Sequence, residues 1–152
     1  AGLEVSVVVE VPDAVPDPWY LYFTGTAVAA LTVAPGVALD GSTAGQVDVT
    51  MSDPTEWFVQ LSQGGLSVVE GQTYTVTFWA KASPPRHLSA SLQQDHDPWV
   101  SFASGGFDVT GDWDLYSFTD VAAFSDTAAF HFNLADSVGT VWIDDVAVTT
   151  SR

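Results

Sequence analysis

Residues 74–83 read Tyr-Thr-Val-Thr-Phe-Trp-Ala-Lys-Ala-Ser. In an extended chain Tyr74, Val76, Phe78 and Ala80 fall on one face and Thr75, Thr77, Trp79 and Lys81 on the other, the period-two pattern of a strand with one buried side. Strand-like runs recur near 3–11, 19–24, 27–34, 45–51, 57–62, 73–82, 87–94, 99–103, 114–120, 127–134 and 139–149. Pro-Asp, Pro-Gly, Asp-Gly, Gly-Gly, Pro-Pro and Thr-Gly-Asp turns separate them. Many short strands without a helical period predict an all-β fold, an antiparallel β-sandwich of the jelly-roll kind, with any helix limited to a single turn. Residues 12–18, rich in Pro and Asp, read as a surface loop, and no internal repeat is present.

The 152 residues suit one domain, expected over 1–152, with enough volume for a core. Nineteen acids against Lys81, Arg86 and Arg152 leave a net charge of −16, which repels phosphate backbones and anionic membranes. Nucleic acid and membrane are therefore excluded as partners. A hydrophobic content of 47% with clean alternation argues against acidic disorder. Six Trp, nine Phe and four Tyr exceed what a core of this size absorbs, so surplus aromatics become binding candidates. Without cysteine there is neither a disulfide framework nor thiol chemistry. Residues 1–11 carry Glu4 and Glu10 and no basic start, so an exported protein of this kind has had its signal removed or belongs to a longer parent.

Polar residues on two strands show where recognition falls. In 127–134, Ala128, Phe130, Phe132 and Leu134 share one face, leaving His131 and Asn133 together on the other. In 87–94, Leu88, Ala90 and Leu92 point inward and Ser89, Ser91 and Gln93 outward, a surface polar enough to floor a groove. Catalytic pairing is poorly supported. Asp144 and Asp145 are neighbours on a strand and point to opposite faces, the only Glu residues are 4, 10, 56 and 70, and nucleophile-elbow, zinc-helix and phosphate-loop motifs are missing.

Three further pieces complete a pattern: Glu56-Trp57-Phe58-Val59-Gln60-Leu61, Gly71-Gln72-Thr73, and the closing Val-Trp-Ile-Asp-Asp-Val-Ala-Val at 141–148. In this order, over about residues 41–149, they resemble the family 4, 9 and 22 group of carbohydrate-binding modules. The N-terminus departs from that group, since Val7-Val8-Val9-Glu10 supplies an acid without the usual Asn-Gly-like turn before it. The resemblance implies a cleft across the concave sheet, with Trp57 and Trp99 on either side of a sugar chain and Gln60, Gln93, His131 and Asn133 hydrogen-bonding to its hydroxyls. Flat aromatic faces for the C–H surface of a pyranose and planar polar groups for its rim are what such a ligand requires.

The resemblance also implies a structural calcium away from the cleft, held by Glu10 and Asp144 with carbonyls near Asp40 and Gly41. Hard oxygen ligands without His or Cys suit calcium. The competing reading has Asp144 or Asp145 accepting backbone hydrogen bonds at a bulge. The expected function is non-catalytic binding of a neutral β-glycan (xylan, β-1,4-glucan or a related β-glucan), tethering an attached glycoside hydrolase to substrate. The protein is expected to be secreted and to act as a monomer or as part of a modular enzyme. Two alternatives stand beside this: a structural calcium-stabilised sandwich of a surface protein, and a small lyase or hydrolase using His131 or His96 with Tyr116. Of the remaining tryptophans, Trp113 and Trp142 are expected to pack the sandwich, while Trp79 and Trp19, which follows a Pro-rich loop able to fold over one end of the cleft, are held in reserve as sugar contacts.

Overall fold

The computed structural model describes residues 19–36 and 43–151, and the strand expected at 3–11 lies outside them. Ten strands follow in chain order: β1 Tyr20–Phe23, β2 Val28–Pro35, β3 Thr43–Met51, β4 Val59–Val68, β5 Thr73–Ser83, β6 Arg86–Gln94, β7 Ser101–Val109, β8 Asp114–Val121, β9 Asp126–Asn133 and β10 Gly139–Ser151. The one helix among the described residues is the single 3-10 turn Glu56–Phe58. Two five-stranded sheets run β1-β4-β9-β6-β7 and β2-β3-β10-β5-β8. All their pairings are antiparallel.

The core lies between the sheets and is built by the alternation visible in the sequence. Tyr74, Val76, Phe78 and Ala80 of β5 face Leu88, Ala90 and Leu92 of β6 and Ala128, Phe130 and Phe132 of β9, all buried. Phe132 packs edge-on against both Phe78 (centroids 5.0 Å apart) and Phe130 (4.9 Å). Such pairs add about 0.5–1.5 kcal/mol each beyond the area they bury. Trp19, held in reserve as a sugar contact, belongs to this cluster instead. It is 2% exposed and lies 6.3 Å from Phe130 and 6.2 Å from Phe132. An inward Trp19 turns Tyr20 and Tyr22 outward by strand alternation.

The outer face of the second sheet corrects two further expectations. Trp142 alternates with buried Val141 and Ile143, so it points away from the core, opposite Lys81 on the neighbouring strand. The Lys81 ammonium rests 4.9 Å from the Trp142 ring and 5.2 Å from that of Trp113. These cation–π contacts put both tryptophans on the outside of the sandwich, not inside it as expected. Trp142 Nε1 also donates to Gln46 Oε1 at 2.9 Å. Arg86, the other Lys or Arg among the described residues, is buried and donates to the Leu134 and Ser137 carbonyls and to Asp136 Oδ1 at 2.7 Å. That arrangement fixes the chain leaving β9.

Candidate functional site

The outer face of the first sheet carries a groove of about 990 Å³. Its lining comes from all five strands: Tyr20 and Tyr22 on β1, Gln60 on β4, His131 and Asn133 on β9, Ser89, Ser91 and Gln93 on β6, and Ser101, Ser104 and Gly106 on β7. The groove therefore crosses the strands, and among the described residues no strand lies beyond β1 or β7. Trp57 and Trp99 line it from the loops, 51% and 54% exposed, whereas the core aromatics Trp19, Phe78, Phe130 and Phe132 are buried. All six side chains read from the sequence as sugar contacts line this one groove. Tyr20 and Tyr22, 48% and 45% exposed, were missed, and the signal that would have found them is the inward setting of Trp19.

Trp57 lies in the 3-10 turn ahead of β4, not at the start of the strand. Main-chain bonds pin that turn: Phe58 N to Thr55 O at 3.0 Å, Thr24 N to Phe58 O at 3.0 Å and Ala135 N to Glu56 O at 3.0 Å. Phe58 meets the Trp57 ring edge-on at 4.6 Å. Gly25, at φ +65°, lets Phe58 lie against the β1–β2 turn, where a Cβ would run into its ring. Asp53 closes the support, accepting from Thr55 N at 2.9 Å and from Thr26 Oγ1 at 2.8 Å. The Thr55 N–H, and then the Thr26 hydroxyl and N–H, hold its carboxyl below the usual carboxylate value.

Trp99 is held differently. Its N–H donates to His96 O at 2.9 Å, and Val100 N donates to Gln94 Oε1 at 2.9 Å. Gln94 Nε2 in turn donates to Asp126 Oδ2 at 2.9 Å, the same oxygen that His96 Nε2 reaches at 2.9 Å. Thr127 donates its N–H to Asp126 Oδ1 and its hydroxyl to Asp95 Oδ1. Gln94, then His96 and the Thr127 N–H, pull the Asp126 carboxyl down to about 2. Asp126, followed by the Asp97 carbonyl, raises His96.

The floor is wired before any ligand arrives. Gln60 Nε2 donates to Asn133 Oδ1, Asn133 Nδ2 to Ser89 Oγ, and Ser89 Oγ to Glu56 Oε1, each at 3.0 Å. Ser91 Oγ donates to Gln93 Oε1 at 3.0 Å, and Ser62 Oγ bonds His131 Nδ1. Burial pushes the His131 imidazole down to about 4, so at neutral pH it is uncharged, and with Nδ1 engaged its Nε2 is the nitrogen left for a ligand. Glu56 and Asp95 are the charged side chains of the lining. Lys81 and Arg86 are engaged elsewhere and do not line the groove.

Asp144 is fully buried, and its Oδ1 accepts the Asp145 N–H at 2.8 Å. The β10–β5 register shifts between Asp144 and Ala147, so the local arrangement is the bulge that competed with the metal reading. Asp144 still offers hard oxygen of the type calcium takes. Glu10, Asp40 and Gly41 lie outside the described residues. Among the described residues no three His, Asp or Glu side chains converge as a metal cluster. Tyr116 stacks on Phe78 at 5.6 Å in the second sheet, apart from the groove that His131 lines, which removes it as an acid–base partner there.

Residues 13–137 match the family described as carbohydrate binding domain, CBM 4/9, and the chain belongs to it. A solved CBM4 module is 27% identical, with 87% of this chain and 86% of that one aligned at a TM-score of 0.73. The second N-terminal cellulose-binding domain of Cellulomonas fimi β-1,4-glucanase C shares 23% identity over 100% of this chain and 99% of its own, at a TM-score of 0.71. The CBM22-1 xylan-binding domain of Paenibacillus barcinonensis Xyn10C shares the fold at 14% identity, 99% and 96% coverage and a TM-score of 0.65. No curated protein matches the sequence.

Proposed function

We propose that this domain binds one neutral β-glycan chain in the groove without acting on it, and so tethers an attached glycoside hydrolase to xylan, β-1,4-glucan or a related β-glucan. The observation that carries the proposal is the pair of half-exposed tryptophans beside a polar floor whose donors and acceptors are already oriented. Trp57 and Trp99 supply apolar faces to the sugar rings, and Gln60, Gln93, His131 and Asn133 address the hydroxyls. Tyr20 and Tyr22 extend the surface towards β1. Carboxylates in the lining, with no Lys or Arg among the residues that line it, favour uncharged chains over uronate-bearing ones. A secreted, monomeric module suits a polymeric substrate.

Affinity electrophoresis in gels containing soluble xylan, hydroxyethylcellulose or mixed-linkage β-glucan tests this reading. Retardation without release of reducing sugar is expected, and unretarded migration in every gel would return the domain to a structural role. Calcium belongs to the same proposal, with Asp144 and Glu10 as ligands stabilising the fold away from the groove. An ion bound only by the folded state adds about 2.7 kcal/mol at a hundredfold excess over its Kd. Chelation should therefore lower the thermal midpoint while leaving glycan affinity intact in the cold, and an unmoved midpoint removes the metal.

A further inference from the structure

Trp99 and Asp145 are the two described non-glycine residues with a left-handed backbone, Trp99 at φ +63°. A bulky L residue held there costs about 1–3 kcal/mol unless its surroundings over-determine it. Here the surroundings are the polar side chains of the loop, and they converge on Asp126. The His96 ring lies between two oxygens, with Nδ1 2.8 Å from the Asp97 carbonyl and Nε2 2.9 Å from Asp126 Oδ2. A carbonyl and a carboxylate only accept, so both ring nitrogens must carry protons, whereas a neutral imidazole has one N–H and one lone pair.

We infer that doubly protonated His96, anchored on Asp126, is the positioning residue that holds Trp99 in its left-handed setting, so this wall of the groove slackens when His96 loses a proton. The inference rests on the reading of the groove as a glycan site. The titratable groups facing the ring are Asp126 from β9 and Asp95 from its own loop, with the Asp97 backbone carbonyl on Nδ1. Lys81 is occupied by Trp113 and Trp142, and Arg86 by Asp136. All the charge facing His96 is therefore negative and stabilises the imidazolium. Since its folded pKa is raised, the clamp is complete below the ordinary histidine value and is lost as pH rises through the folded one.

Two measurements test this. In NMR titrations of the whole domain, the Trp99 indole N–H should move with the midpoint of His96. In Asp126→Asn that midpoint should fall, and the Trp99 signal at neutral pH should resemble the parent's at high pH. Calorimetric titration with hydroxyethylcellulose should show parent affinity dropping roughly three- to tenfold between about pH 6 and about pH 9, the effect of one hydrogen bond. His96→Gln should bind at the weaker level at both values. A Trp99 signal that ignores the His96 titration, or a His96→Gln domain that keeps the parent's pH slope, overturns the inference. If Trp99 tracks His96 yet neither hydroxyethylcellulose nor soluble xylan binds, the positioning stands and the glycan reading fails.

Discussion

Trp57 and Trp99 line the same groove to nearly the same exposure, yet one is fixed by main chain and packing and the other by ionisable side chains. Behind Trp57 stand the Phe58 ring, the Gly25 turn, peptide bonds, and Asp53, whose carboxyl is held below the usual carboxylate value and so stays ionised at neutral and alkaline pH. Behind Trp99 stand a histidine, two aspartate side chains and a glutamine around an exposed loop, where solvent and salt weaken each contact. One groove can thus combine a wall indifferent to pH from neutral upwards with one that responds to it. The difference arises from the residue on the C-terminal side of each tryptophan: Phe58 can enter the interior, whereas Val100 is itself exposed.

The largest expected effect separates a global acid response from the local alkaline one. His131 is pushed down to about 4 by burial, from 6.5 when unfolded, so below 6.5 the unfolded chain takes up a proton that the folded chain refuses. Stability should be complete above that value and fall by roughly 3 kcal/mol as pH drops towards the folded value, then level off. Chemical denaturation at several pH values should show this slope, and His131→Gln should flatten it. A slope that survives the substitution assigns the acid response to other groups.

Next in size, Trp57→Ala and Trp99→Ala should each weaken glycan binding by about 2 kcal/mol or more, roughly thirtyfold, with the fold intact. Calorimetry in which only one of them matters would make the groove one-walled. Gly25→Ala comes third. It places a Cβ at positive φ against Phe58 and should lower stability by about 1–2 kcal/mol, weakening binding equally at every pH. A pH-dependent loss in that variant would collapse the contrast between the walls. Smallest is Tyr22→Phe, expected to cost no more than about 1 kcal/mol of affinity through one lost hydroxyl contact.

The sandwich was legible because one physical rule, burial of alternate residues, acts on every strand within a few positions of sequence. The same rule put His131 and Asn133 beside Ser89, Ser91 and Gln93, since neighbouring strands shared an orientation that could be read separately in each. It failed at Trp19, where a short edge strand offers too few residues to orient it, and Tyr20 and Tyr22 were lost with it. Trp142 and Trp113 flank Lys81 through pairings of β10 and β8 with β5, and long-range register is not written in local pattern. The His96 clamp was hidden for the same reason. Asp95-His96-Asp97 read alone is a polar loop, and its partner Asp126 lies 30 residues away.

A groove that crosses five strands from edge to edge has a length set by the sheet itself: four gaps of about 4.8 Å, or roughly 19 Å. Nothing among the described strands closes either end. A polymer that lay along it and ran past both ends would be bound by any stretch as well as by any other, and its termini would have no special standing. On one long chain the sites overlap, and each bound domain removes several registers from its neighbours. Occupancy then becomes a parking problem: the first domains bind with a large statistical advantage, and the last gaps, too short for a whole footprint, stay empty at any concentration.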